Sequence, residues 1–122
     1  MAPALPAHLA DLDDSLVARA ARIRLACFDV DGTLTDGRLF LDADGRELKA
    51  FHVHDGQGLV LLRKAGIEVA FITARRSEVA ARRAEELGVR AHIGVKDKLG
   101  CVQALCAELG IDTAMVSFMG DD

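Results

Sequence analysis

The sequence predicts an α/β fold, a three-layer, Rossmann-like parallel sheet with a β-hairpin inserted after its first strand. Two patterns carry this. Short apolar runs alternate with helix-patterned segments that each close on a glycine, the rhythm of a parallel sheet covered on both faces. One insert of alternating, β-prone residues around an Asp-Gly pair breaks that rhythm.

Leu9, Leu12, Leu16, Val17, Ala20 and Ile23 recur at helical spacing, so residues 8–22 read as an amphipathic leading helix. Leu25-Ala26-Cys27-Phe28 is apolar, too short for a helix and stopped by Asp29, and reads as the first strand. The insert over residues 36–51 runs through Arg38-Leu39-Phe40-Leu41, then Asp42-Ala43-Asp44-Gly45, then Arg46 to Phe51, two arms around a turn. A helix near Gly58 follows, with Leu59, Leu61, Leu62 and Ala65 before Gly66. Ile67 to Ile72 is the second apolar run, Val89 to Ile93 a weaker third and Met115 to Met119 a fourth. Between them, Val79, Ala80, Ala84 and Leu87 precede Gly88, and Leu99, Val102, Leu105, Cys106 and Leu109 precede Gly110. The glycines stand where a left-handed C-cap forms easily, and Ser77 and Asp97 suit N-caps. No repeat or low-complexity segment interrupts the order. The sequence closes on Gly120-Asp121-Asp122 at the end of a strand, where a covering helix is the usual continuation. It therefore reads as one domain over residues 1–122, incomplete at its C-terminus.

Composition narrows the class. There are 15 basic and 19 acidic residues, a net charge of −4, and 51% hydrophobic residues of which few are aromatic, with no Trp and no Tyr. The core must be aliphatic, and a chain of this length buries roughly two-thirds of its unfolded surface without staples. The mild acidity argues against nucleic acid, which asks for a basic stripe. No apolar run approaches the ~18 residues of a membrane span. Asp11, Asp13, Asp14, Arg19, Arg22 and Arg24 exclude the apolar stretch of a secretion signal. Cys27, Cys101 and Cys106 form no CxxC pair and are odd in number, which fits buried free thiols in a reducing compartment. A cytoplasmic protein that meets neither nucleic acid nor membrane is the expectation.

Open parallel sheets hold ligands beyond the carboxyl ends of their strands, where strand order reverses. Those ends carry Asp29-Val30-Asp31-Gly32-Thr33, Thr73-Ala74-Arg75, Lys96 and Lys98, and Asp121-Asp122. Asp29 and Asp31 are two apart, which in extended chain puts both side chains on one side. Carboxylates held together repel unless a proton or a metal intervenes. With the fourth strand beside the first, Asp121 or Asp122 joins them. A set of oxygens without paired Cys or spaced His suits a hard ion, most simply Mg²⁺. Thr73 and Lys98 supply a hydrogen-bond donor and a cation for the oxygens of a phosphoryl group, with Lys96 as the rival of Lys98. One Asp attacking phosphorus gives an aspartyl-phosphate. The other protonates the departing alkoxide and then takes a proton from the water that opens the acyl phosphate.

Phe28-Asp29-Val30-Asp31-Gly32-Thr33-Leu34-Thr35 resembles the first motif of the haloacid dehalogenase-like phosphatases. Ile72-Thr73, Lys98 within Asp97-Lys98-Leu99, and Gly120-Asp121-Asp122 resemble their second, third and fourth motifs, in the right order. The resemblance implies Asp29 as nucleophile and Asp31 as acid/base. The Mg²⁺ ligands would be Asp29, Asp31 through its backbone carbonyl, and Asp121 or Asp122, with Asp121 favoured. Thr73 and Lys98 would hold the phosphate. Thr35-Asp36-Gly37, the hairpin and Phe51-His52-Val53-His54-Asp55-Gly56-Gln57-Gly58-Leu59 are similar to the capless members that hydrolyse 3-deoxy-D-manno-octulosonate 8-phosphate, and to their sialic-acid 9-phosphate relatives. That likeness implies a sugar-acid phosphate substrate, a role in lipopolysaccharide biosynthesis, and a homotetramer in which a neighbouring subunit excludes water, with Leu39, Phe40 and Leu41 suited to the contact. Ala74 departs from a frequent Gly, and the family's further Asp, last strand and tail have no counterpart here.

Other readings compete. Asp before Gly at a strand exit is ordinary turn chemistry. Arg75 either reaches a substrate carboxylate with its planar fork or sits solvated beside Arg76. His52 and His54 share a strand face by spacing, as a metal pair or as pocket-lining residues. His54 and Asp55 are candidate substrate contacts; the bland reading of Asp55-Gly56 is a turn before a helix. Arg82-Arg83 and Glu85-Glu86 read as the wet face of a helix. A receiver-like phosphoacceptor module would share the sheet, the acids, the Thr and the Lys. It would, however, place its acceptor Asp after the third strand, where Ile93-Gly94-Val95 has no acid. A non-catalytic subunit of the same fold is the third possibility.

Overall fold

A computed structural model describes residues 6–121. In chain order, a 3₁₀ turn at Ala7–Leu9 precedes α1 (Asp14–Ala21), β1 (Leu25–Phe28), β2 (Phe40–Leu41) and β3 (Glu47–Leu48). Then come α2 (Val53–Lys64), β4 (Glu68–Ile72), α3 (Glu78–Leu87), β5 (Arg90–His92), α4 (Lys98–Leu109), a second 3₁₀ turn and β6 (Val116–Met119). Four strands form a parallel sheet in the order β5-β4-β1-β6, and β2 and β3 pair antiparallel as the hairpin.

The central strands β1 and β4 are buried on both sides because they alternate apolar residues to two cores. Leu25, Cys27, Ala70 and Ile72 pack with Val102, Leu105 and Cys106 of α4. Val69 and Phe71 face the other way and pack with Leu59 of α2, Ala80 and Ala84 of α3, and Val30 and Leu34 of the loop after β1. Burial pushes the Cys27 thiol up to about 12, with the neighbouring Cys106 and Cys101 adding to the effect, so it stays protonated. The three cysteines are free thiols.

Ser77 accepts from the Ala80 N–H at 3.1 Å and Asp97 from the Gly100 N–H at 2.9 Å, capping α3 and α4 as their sequence positions predict. Gly88 and Gly110 close the same helices in left-handed conformation, with φ of 69° and 68°.

Two expectations need correction. The leading helix expected over residues 8–22 begins only at Asp14. Asp13, at φ −57° and ψ 134°, accepts from the Ser15 N–H at 2.8 Å and so caps a shorter helix instead of continuing a longer one. His52 and His54 lie on no strand. His52 is the N-cap of α2, its Nδ1 accepting from the His54 N–H at 3.0 Å, and Asp55 and Gly56 belong to the first turns of that helix.

Phe71 is fully buried at the middle of the sheet. Phe71→Ala should therefore destabilise the fold by about 3–5 kcal/mol, read as a lower denaturation midpoint in urea.

Candidate active site

The strand order reverses at β1: β4 and β5 extend the sheet on one side and β6 returns on the other. The crevice this leaves at the carboxyl ends is where a doubly wound sheet presents its chemistry. Register fixes the geometry there. Phe28 is level with Phe71 on one side and Met119 on the other, and the Asp29 N–H continues the ladder to the Met119 carbonyl at 2.9 Å. Asp29 and Gly120-Asp121 therefore leave the sheet side by side. A Cβ placed on Gly120 would lie 3.7 Å from that of Asp29, and one placed on Gly32 would collide with the Asp121 carboxylate. Asp121 thus rests against the loop that carries Asp31.

The chain turns sooner than the spacing of Asp29 and Asp31 suggests. The Val30 carbonyl accepts from the N–H groups of Thr33, Leu34 and Thr35, so the extended stretch ends at Val30 and Asp31 sits in the turn. Gly32, at φ 79°, makes that turn without the strain a side chain would add.

Asp29 is buried, and a buried carboxylate needs partners. Its Oδ1 accepts from the Val30 N–H at 2.9 Å and lies 3.3 Å from Lys98 Nζ. Lys98 is the first residue of α4, so the Asp97 cap that starts the helix also points the lysine across to β1. Lys96 is exposed. Thr73 is buried one residue past β4, its hydroxyl accepting from the Arg75 N–H at 3.3 Å.

Two residues that the sequence pattern did not single out join the site from the hairpin. The Lys49 side chain is wholly buried and donates to Asp31 Oδ1 at 2.6 Å. The same ammonium lies 3.0 Å from Glu47 Oε1, as an ion pair without hydrogen-bond alignment. Glu47 also lies 3.5 Å from Arg75 Nε. The signal was present: in Glu47-Leu48-Lys49 the two charged residues share one face of a strand while Leu48 points out, 66% exposed.

His54 and Asp55 are exposed and line a cleft of about 290 Å³ with Phe28, Thr33, Leu34 and Met119, next to the turn that carries Asp31. A larger cleft, about 430 Å³ between Arg24, Gly66, Gly110 and Met115, opens at the amino ends of the strands, away from these carboxylates. Asp122 lies outside the described residues.

Among the described residues, no three His, Cys, Asp or Glu side chains already stand in metal-ligating geometry. Lys98 lies against Asp29 and Lys49 against Asp31. The donors gathered here are nevertheless all oxygens, from Asp29, the Asp31 turn and Asp121, and that chemistry fits a hard divalent cation. Among the described residues no helix is long and apolar enough to cross a membrane.

No protein-family model matches the chain. Over 110 residues it is 42% identical to the 3-deoxy-D-manno-octulosonate 8-phosphate phosphatase KdsC of Yersinia pestis, a match covering 89% of this chain and 59% of that protein. The crystal structure of a hypothetical protein from Xanthomonas campestris superposes with a TM-score of 0.91 at 60% identity, covering 93% of this chain and 63% of that one. The 3-deoxy-D-manno-octulosonate 8-phosphate phosphatase of Moraxella catarrhalis, solved with magnesium ion, phosphate ion and KDO, gives 0.86 at 41% identity, covering 89% and 63%. The chain thus spans about three-fifths of the length of these relatives. A parallel sheet that reverses at β1 and likenesses of this extent give the chain the haloacid dehalogenase-like fold.

Proposed function

We propose that this chain, residues 1–122, is part of the phosphatase domain of an enzyme that hydrolyses 3-deoxy-D-manno-octulosonate 8-phosphate. The observation that carries the reading is the meeting of Asp29, Lys98, Asp31 and Asp121 at one rim. The Moraxella relative, solved with magnesium, phosphate and KDO, supplies the substrate class.

Asp29 is the nucleophile. Its Oδ1 is engaged by the Val30 N–H and Lys98, which leaves Oδ2 to attack phosphorus in line with the departing sugar alkoxide. The P–O bond to the sugar breaks as the bond to Oδ2 forms. Asp31 delivers a proton to the alkoxide, then removes one from the water that attacks the aspartyl-phosphate, returning Asp29 and inorganic phosphate. Lys98 and the Thr73 hydroxyl bind phosphoryl oxygens and stabilise the charge that spreads over them. Mg²⁺ would be held by Asp29, the Asp31 backbone carbonyl and Asp121; when bound, it offsets the repulsion between the Asp29 carboxylate and an incoming phosphate dianion. Arg75, His54 and Asp55 serve the sugar acid, Arg75 by reaching its carboxylate from the loop after β4.

The reading extends to assembly and compartment. Leu39, Phe40, Leu41 and Leu48 are exposed on the hairpin, which supports a homo-oligomer, a tetramer by likeness to the family. Buried free thiols support a cytoplasmic setting.

Phosphate release from 3-deoxy-D-manno-octulosonate 8-phosphate by the full-length protein tests the proposal directly. Release should require Mg²⁺, stop in EDTA and fall by at least about 10³-fold in Asp29→Asn; full activity of that variant would remove the mechanism. Gly32→Ala should also abolish most turnover while lowering stability by about 1 kcal/mol, because its methyl group displaces Asp121 and strains the turn. Urea denaturation beside the activity assay separates the two effects.

A further inference from the structure

We propose that Lys49 is a positioning residue, one that reserves the Asp31 carboxylate for proton transfer by keeping it off the divalent cation. The proposal rests on the phosphatase reading above and assigns a role to a residue that reading does not use. Three acidic side chains around one dication pose a problem: each gains by becoming a ligand, because hard cations bind anionic oxygens most tightly. Two of them serve as ligands. The third must stay free, since a carboxylate bound to the metal cannot turn to face the leaving oxygen. Asp31 is that third group, and its backbone carbonyl already suffices for the metal.

The hairpin supplies the restraint. Lys49 Nζ donates to Asp31 Oδ1 at 2.6 Å, a charge-assisted bond of the strong class. The lysine cannot easily leave. Its side chain is wholly buried, and its ammonium is held from behind by Glu47 at 3.0 Å. Glu47, mostly buried itself, is steadied by Arg75 at 3.5 Å. Two cations and two anions alternate along Arg75, Glu47, Lys49 and Asp31, so withdrawing Lys49 would leave both the Asp31 and the Glu47 carboxylates without their nearest cation. A flexible, strongly hydrated lysine is seldom buried for packing alone. The contact joins the hairpin to a residue 18 positions earlier, at the point where the reaction needs a fixed proton carrier.

The test measures the cation and the turnover separately, on the full-length protein. In Lys49→Met, calorimetric titration with Mg²⁺ alone should show binding about tenfold tighter, as Asp31 joins the ligands. Steady-state kcat at saturating Mg²⁺ should fall about 100-fold while KM moves by less than about threefold. Adding Asp31→Asn to Lys49→Met should cancel the gain in Mg²⁺ affinity. A gain that survives in the double variant comes only from removing a nearby positive charge and overturns the proposal, as does unchanged affinity in Lys49→Met. Lys49→Arg, which keeps the charge and the donor, should recover most of the turnover and the parental affinity. If Lys49→Met does not fold, combining it with Glu47→Gln leaves fewer stranded charges. The same titration and kinetics on that double variant then support or overturn the proposal in the same way. A parent protein that neither binds Mg²⁺ nor releases phosphate refutes the phosphatase reading itself, a different result from normal turnover with a dispensable Lys49.

Discussion

The backbone ladder on the two sides of β1 is the constraint on which the site depends. Because Phe28 is level with both Phe71 and Met119, and the Asp29 N–H extends the pairing by one bond, the carboxylates of the first and last strands leave the sheet at the same height. A register slip of one residue would send Asp29 to the opposite face and place Val30 or Phe28 at the rim. The two aliphatic cores enforce the register, since Leu25 and Cys27 are committed to one and Phe28 packs against the other. The packing of Leu25 and Cys27 against α4 is therefore part of what aims Asp29.

Helix starts provide the remaining placements. Asp97 begins α4 by accepting a backbone N–H, and the next residue, Lys98, is thereby carried to the Asp29 carboxylate. Thr73 is set by its position one residue beyond β4, where its own N–H still bonds the His92 carbonyl. The charges at the carboxyl rim thus ride on features whose first purpose is to begin or end regular structure. Few residues serve the site alone.

Much of this was legible in the sequence because it is local. The apolar runs of β1 and β4, the latter interrupted only by Glu68, the Ser77 and Asp97 caps and the terminal glycines of α3 and α4 each declare themselves within a few residues. The residues at the strand ends pointed to Asp29, Thr73, Lys98 and Asp121 on one rim, where the structure has them. What stayed hidden has equally physical reasons. Histidine is an uncommon helix cap, so the start of α2 at His52 was hidden and its two histidines looked like strand residues. Apolar spacing before Asp13 imitated a longer helix than the cap permits. Lys49 and Glu47 were missed because their partners, Asp31 and Arg75, lie far off in sequence, and only the tertiary path of the hairpin brings them together.

That hairpin is slight: two residues in each strand, with most of their apolar side chains facing outward. Segments held by so few backbone bonds open on their own, at a small fraction of the free energy needed to unfold the whole domain, while central strands open only with everything else. Amide hydrogens of β1 and β4 should accordingly exchange with solvent on the slowest clock in the molecule and those of β2 and β3 on a much faster one. Lys49, the partner of Asp31, lies one residue past the last hairpin strand, so the surroundings of Asp29 and of Asp31 rest on elements of very different tempo.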